Sequence, residues 1–256
     1  MRLDFTLTVY KELLEVMKGC GYNFYTMSEW LERKPETGIV IRHDVDRRAS
    51  NSLRTAELEH ASGIQATYYF RITKDSFRRD IIEGISRLGH EAGYHYEDLT
   101  THSGDKVKAI ESFSANLNMI RECAEVKTIA MHGKPMSKYN NLDLWKSYDF
   151  KDFGITGEAY LTPDYTKTYY FSDTGRSWKS NTKANYKDYT GGLTSGKVKR
   201  TQDLIEFIRD ERPDKMILVT HPERWSDSIA EFIFYIMRDT GIHLIKAFLS
   251  NIRSIT

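Results

Sequence analysis

Short runs of strand-forming residues alternate with helix-length segments through the first half of this chain, and that alternation sets its fold class. The strand candidates are Ile39-Val40-Ile41, Ala66-Thr67-Tyr68-Tyr69-Phe70, His90-Glu91-Ala92-Gly93-Tyr94-His95 and Thr128-Ile129-Ala130-Met131. They are rich in β-branched and aromatic side chains and are bounded by glycines or polar turns. Between them the apolar period becomes three to four. Residues 78 to 88 carry Ile81, Ile82, Ile85 and Leu88, and residues 105 to 123 carry Val107, Ile110, Phe113, Leu117 and Ile120. A helix over residues 8 to 18 precedes the first strand, Ser28 is expected to cap a turn with Trp30 and Leu31, and Asn51 or Ser50 is expected to cap a helix ending near His60. Strands separated by helices imply a parallel sheet with right-handed crossovers. A barrel and an open sheet both satisfy that pattern.

From Pro135 to Gly196 the periodicity weakens, and Tyr169-Tyr170-Phe171 is the only strand candidate there. The segment reads as loops over one end of the sheet, where sites usually sit. Regularity returns with a helix over residues 201 to 209 and a buried strand, Met216-Ile217-Leu218-Val219-Thr220. A helix capped by Ser226, with Ile229, Phe232, Ile233, Ile236 and Met237 on one face, and a closing strand at Leu244 to Leu249 complete the reading. No linker composition interrupts the chain, so residues 1 to 256 are expected to form one domain.

Bulk composition narrows the function. With 37 basic and 36 acidic residues the net charge is +1, which gives no basic face for nucleic acid. Cys20 and Cys123 are too few for a disulfide framework and suit free thiols in a reducing compartment. The N-terminus has no long apolar run, and no stretch approaches the roughly 20 apolar residues of a membrane span. A cytoplasmic protein without a transmembrane segment is therefore expected.

The chemistry concentrates at strand ends. Ile39-Val40-Ile41 leads into Arg42-His43-Asp44-Val45-Asp46, and Asp44 and Asp46 share a face if the strand persists. Crowded carboxylates call for a cation or a shared proton. A solvated Asp-Arg turn is the plainer reading, since Arg47 and Arg48 follow. Three more strands end in histidine: His95, followed by Glu97 and Asp98; His132; and His221. In a parallel sheet these ends share one rim. Imidazoles and carboxylates from several strands suit Zn²⁺ or a similar divalent metal, with an open position for water. Gly191-Gly192-Leu193-Thr194-Ser195-Gly196-Lys197-Val198 half-matches a phosphate loop, but it lacks the final hydroxyl residue and a preceding buried strand. Ser172-Asp173-Thr174-Gly175-Arg176-Ser177-Trp178 fits either a polar turn with a packed Trp or a pocket wall.

From Tyr22 to Phe248 these motifs resemble the polysaccharide deacetylase family, also called the NodB homology domain or carbohydrate esterase family four, and within it the WbmS-like branch of O-antigen clusters. The family's T-F-D-D-G motif corresponds to Arg42-His43-Asp44-Val45-Asp46, which implies Asp44 as general base and Asp46 as metal ligand. Its G-H-E-I-G-N-H-[S/T]-x-x-H motif corresponds to Gly89-His90-Glu91-Ala92-Gly93-Tyr94-His95-Tyr96-Glu97-Asp98-Leu99, which implies His95 as metal ligand. Leu99 stands where the second metal histidine belongs and cannot coordinate. Asp98 is the expected substitute, with Glu97, His102 and His132 as alternatives.

The family's R-x-P motif corresponds to His132-Gly133-Lys134-Pro135, so His132 replaces the arginine and either orients the base or binds the metal. Leu218-Val219-Thr220-His221-Pro222 corresponds to the motif of the general-acid histidine, His221. Trp178, Arg176, Asp173, Tyr96 and Pro135 are the expected substrate-facing residues. The resemblance implies an α/β fold, an irregular (β/α)7-type NodB-like barrel. It also implies a divalent metal, most simply Zn²⁺, and hydrolysis of an N-acetyl or O-acetyl group on a sugar or glycan, nucleotide- or lipid-linked. Two alternatives stand beside it: a catalytically degenerate glycan-binding protein, which Leu99 favours, and an amidase acting on a non-sugar amide.

Overall fold

The computed structural model describes residues 3–134, 137–178, 190–228 and 230–235. Pro135, the strand expected at residues 244 to 249 and the end of the preceding helix lie outside those residues.

The central strand, β2 (Gly38–Val45), is buried along its whole length. β1 (Phe24–Tyr25) pairs with its start, and β3 (Thr67–Phe70) with its end. β4 (Glu91–Tyr96), β5 (Thr128–Met131) and β6 (Gly157–Glu158) continue the sheet on that side, while β8 (Lys215–Thr220) and β7 (Tyr169–Ser172) extend it on the other. The strand order is β6-β5-β4-β3-β2-β8-β7, and every pairing is parallel. The sheet curls into an incomplete barrel with helices on its outer face. The helices are α1 (Leu7–Gly19), α2 (Met27–Arg33), α3 (Ala49–Ala61), α4 (Arg79–Arg87), the short α5 (Asp98–Thr101), α6 (Lys106–Arg121) and α7 (Thr201–Glu211). Up to residue 224 the expected strands and helices recur within a few residues of their sequence positions.

The departures are at helix starts and in the loops. Thr26, not Ser28, caps α2, through a capping box with Glu29. Arg48 opens α3 in the left-handed region without a side-chain cap, so neither Asn51 nor Ser50 serves there. Ser226 bridges to Thr6 instead of capping a helix. Glu231 N donates to Ser228 Oγ at 3.1 Å, which places the start of the helical turns at 230–235 on Ser228. β6 is too short to leave a periodic trace.

Alternation along the strands separates two apolar layers. Ile39, Ile41, Tyr68, Phe70, Tyr94, Tyr96, Ile129, Met131, Met216 and Leu218 pack outward under the helices. Val40, Tyr69, Ala130, Tyr170, Ile217 and Val219 pack on the inner face with Met27, Trp30 and Tyr165. The same phase places Arg42, Asp44, Gly93 and His95 inward and His43 and Tyr96 outward.

Gly93 permits a close approach on the inner face. A Cβ there would stand 2.5 Å from Tyr69 Cδ1 and 2.6 Å from the Thr128 carbonyl oxygen. Tyr69 thus lies across β4, its hydroxyl 2.7 Å from Thr128 Oγ1. Gly93→Ala is expected to destabilise the protein by about 1–3 kcal/mol, read from urea unfolding midpoints, because Tyr69 or a strand must shift. An unchanged midpoint would mean that this approach is not tight.

Candidate functional site

Asp44 sits near the carboxyl end of β2, buried on the inner face. Arg42, two residues earlier on the same face, grips it with two hydrogen bonds. Nε donates to Oδ1 at 2.7 Å and Nη2 to Oδ2 at 2.8 Å. Burial alone would raise the Asp44 pKa, but Arg42, His95 and His221 together bring it below the usual carboxylate value. The Arg42 guanidinium is fully buried and lies over the rings of Tyr160, at 4.3 Å, and Tyr69, at 5.4 Å.

Three ligand-type atoms converge beside Asp44. His132 Nδ1 stands 3.0 Å from Asp46 Oδ1 and 3.3 Å from His95 Nε2, and His95 Nε2 stands 3.6 Å from Asp46 Oδ1. Around a tetrahedral Zn²⁺ with bonds of about 2.0–2.1 Å, ligand atoms lie roughly 3.4 Å apart. The triangle Asp46–His95–His132 has that size. Asp46 Oδ1 is a buried oxygen that, among the described residues, has only the two imidazoles about it and no well-aligned hydrogen-bond donor, an acceptor suited to a cation. His95 Nδ1 lies 3.0 Å from the Ala130 carbonyl oxygen. That contact places the ring proton on Nδ1 and leaves the Nε2 lone pair for coordination. Burial, first among the causes, lowers the His95 pKa to about 4, so the ring is neutral at neutral pH. These residues fit a divalent metal.

His221 follows β8 and meets Asp173, which follows β7. Asp173 Oδ1 stands 2.6 Å from His221 Nδ1, and Asp173 Oδ2 accepts from the His221 backbone N–H at 3.0 Å and from Trp225 Nε1 at 3.0 Å. Arg224 Nη1 adds a bond to Asp173 Oδ1 at 2.9 Å. Burial and Arg224 would lower the His221 pKa. The charge and hydrogen bond of Asp173, with Asp46 beyond, turn the net shift upward. Asp173 therefore holds the His221 ring through Nδ1 and favours its protonated form.

The structure brings Asp44, Asp46, His95, His132, Asp173 and His221 to one rim and takes other expected residues away from it. Asp98 lies on the outer side. It accepts from Tyr94 Oη at 2.7 Å, Ser112 Oγ at 2.6 Å and Asn116 Nδ2 at 2.8 Å, so it anchors α5 to α6 instead of joining the metal-type cluster. Leu99 is core. Trp178 is wholly buried against Phe5 and Trp225, and its Nε1 donates to Thr201 Oγ1 at 2.9 Å, so it presents no stacking face. Tyr96 is outward and buried, accepting from Trp145 Nε1 at 2.8 Å and donating to Glu158 Oε1 at 3.3 Å. Arg176 is partly buried and donates to the Arg224 carbonyl oxygen. Pro135 lies outside the described residues.

Sequence reasoning passed over the partners that set the site: Arg42, Arg224 and Tyr160. Arg42 was legible, because an arginine two residues before a strand carboxylate shares its face. Arg224 and Tyr160 gave no pattern.

No protein-family model matches this chain, and none of the curated proteins does. Solved structures similar to it include a CE4 family pseudoenzyme from Bacillus anthracis, with TM-score 0.43 and 14% identity over 79% of this chain. The chain spans 60% of that protein's length. The Xyl-CE4 domain of a multidomain xylanase from the hindgut metagenome of Trinervitermes trinervoides gives TM-score 0.36 at 15% identity, covering 80% of this chain and 85% of that one. The peptidoglycan deacetylase PdaC from Bacillus subtilis gives 0.38 at 11%, covering 83% and 97%.

Metal analysis separates the two readings of the third ligand. The purified protein, reconstituted with Zn²⁺, is expected to bind one equivalent by calorimetry. His132→Ala should weaken that binding by at least about 100-fold, whereas Asp98→Asn should leave it unchanged and lower only stability. Loss of metal in Asp98→Asn with retention in His132→Ala would reverse the assignment.

Proposed function

We propose that this chain is a metal-dependent deacetylase that hydrolyses an N-acetyl, or less readily an O-acetyl, group on a sugar or glycan. The observation that carries the reading is the convergence of the Asp46–His95–His132 triangle on Asp44, with His95 Nε2 3.8 Å from Asp44 Oδ2. Asp46, His95 and His132 would hold the ion. A bound divalent ion such as Zn²⁺ supplies Lewis acidity toward an acyl oxygen and a water of lowered pKa.

The chain's own groups do the rest. Asp44, ionised and held at both oxygens by Arg42, takes the proton of the attacking water. The guanidinium fixes the carboxylate in place and disfavours its neutral form until that proton arrives. His221, oriented through Nδ1 by Asp173, delivers a proton from Nε2 to the leaving nitrogen. Asp173 thus acts through His221 and touches no substrate. The resemblance to the WbmS-like branch makes a nucleotide- or lipid-linked sugar of glycan or O-antigen biosynthesis the substrate class to try first.

One observation favours a second reading, an amidase acting on a non-sugar amide. Trp178 and Tyr96, the aromatics expected against a sugar ring, are both core. A catalytically degenerate glycan binder draws less support, because His132 offers the nitrogen that Leu99 lacks and Trp178 offers no surface.

Two outcomes follow from these roles. Asp44→Asn should retain metal and lose about 10²–10⁴-fold in acetate release. An active Asp44→Asn variant would remove Asp44 as base.

The second outcome concerns pH. An acid with a raised pKa stays protonated to higher pH than a free imidazole, and activity falls as pH rises through that pKa. Removing the Asp173 charge lowers it. The alkaline limb of the pH–rate profile should therefore move to lower pH in Asp173→Asn, and an unmoved limb would remove His221 as acid.

A further inference from the structure

Glu223 lies on the turn Pro222–Arg224, directly after His221, and is 1% exposed. Its side chain is poorly satisfied for so buried a carboxyl. Oε1 has Arg47 Nε at 3.7 Å, too far for a hydrogen bond, and Oε2 has no partner among the described residues. The backbone around it is fixed, by contrast. Arg48 Nη1 donates to the Glu223 carbonyl oxygen at 3.2 Å, and Asn51 Nδ2 approaches the Pro222 carbonyl oxygen at 3.5 Å. Burial and then the charge of Asp46 push the Glu223 carboxyl up, while His221 and Arg224 oppose them. The chain geometry places this carboxyl between the ends of β8 and β2: Glu223 follows His221 by two residues, and the side chain nearest its Oε1 is Arg47, the residue after Asp46.

A buried acceptor without a donor is costly in the free protein. At a binding site the missing donor is commonly the ligand. No donor among the described residues reaches Oε2: Arg48 Nη1 is spent on the Glu223 carbonyl oxygen, Arg224 Nη1 and His221 Nδ1 lie against Asp173, and Asp46 offers only acceptors. We propose that Glu223 is a specificity-determining residue whose free carboxyl oxygen accepts a hydrogen bond from a substrate hydroxyl close to the acetyl group. This assignment rests on the deacetylase reading for the identity of the substrate. It adds a requirement for a hydroxyl at a fixed offset from the scissile bond. Such a site rejects an analogue lacking the hydroxyl, because the carboxyl is then left buried and unpaired.

The test uses the full chain loaded with Zn²⁺ and the methyl glycoside of N-acetylglucosamine, with its 3-, 4- and 6-deoxy analogues. Binding is followed by NMR titration and acetate release is assayed separately. The wild type should bind one deoxy analogue at least about tenfold more weakly than the parent sugar. Glu223→Leu should bind both equally weakly, with unchanged metal content and near-native circular dichroism. Glu223→Gln, which keeps the shape, should show a reduced ratio and decides the matter if the leucine variant does not fold.

An undiminished ratio in both variants, or no discrimination by the wild type, would overturn the assignment. Discrimination lost in the variants while the wild type releases no acetate would uphold Glu223 and overturn the deacetylase reading. A wild type that neither binds nor hydrolyses these sugars would overturn both.

Discussion

The site depends on one buried ion pair, Arg42 with Asp44. A carboxylate taken from water needs compensation, and removing one partner of such a pair costs about 3–5 kcal/mol. Here the compensation is a bidentate grip from the same strand, with bonds of 2.7 and 2.8 Å. The arginine is also buried, and its remaining Nη1 has no hydrogen-bond partner among the described residues. The rings of Tyr69 and Tyr160 cover it instead. Each ring is held in turn. Gly93 leaves room for Tyr69, and Glu158 Oε2 accepts from the Tyr160 backbone N–H at 2.6 Å. Glu158 Oε1 accepts from the Met131 N–H at 2.8 Å, just before His132. Burial pushes the Glu158 carboxyl up to about 7. Asp44 and the metal-type triangle are therefore tied to one packed frame.

The strand period of two divides labour between the faces. On β2, Arg42 and Asp44 turn inward to the chemistry while His43 turns outward. His43 Nε2 lies 2.7 Å from Glu59 Oε1, and its Nδ1 lies 2.5 Å from Thr220 Oγ1. Glu59 also accepts from Tyr68 Oη at 2.6 Å and from Tyr10. This outer network joins α1, α3, β2, β3 and β8 behind the rim. It fixes the ends of β2 and β8, from which Asp44, Asp46 and His221 project. Wholly buried polar groups of this kind hold position only when every member is satisfied.

The sheet and most helices were legible, because periods of two and of three to four survive in the residues that face the core. The rim was legible too, since parallel strands ending in His95, His132 and His221 must share it. The choice among ligands was not. Asp98 and His132 were both available to replace the missing nitrogen at Leu99, and sequence distance favoured Asp98. Spatial distance favours His132, because β4 and β5 are neighbours and Asp98 has already entered a helix on the outer side. Tyr96 could have been placed correctly, since His95 and its neighbour must face opposite ways. Trp178 and Glu223 could not, because the loops that bury them have no period.

The most direct measurement of the central claim is anomalous diffraction at the zinc edge from crystals of the Zn²⁺-loaded protein. A single peak about 2 Å from Asp46 Oδ1, His95 Nε2 and His132 Nδ1, with Asp44 free of the ion and still paired to Arg42, is the predicted result. A peak on Asp98, or one that Asp44 ligates in place of His132, would contradict it.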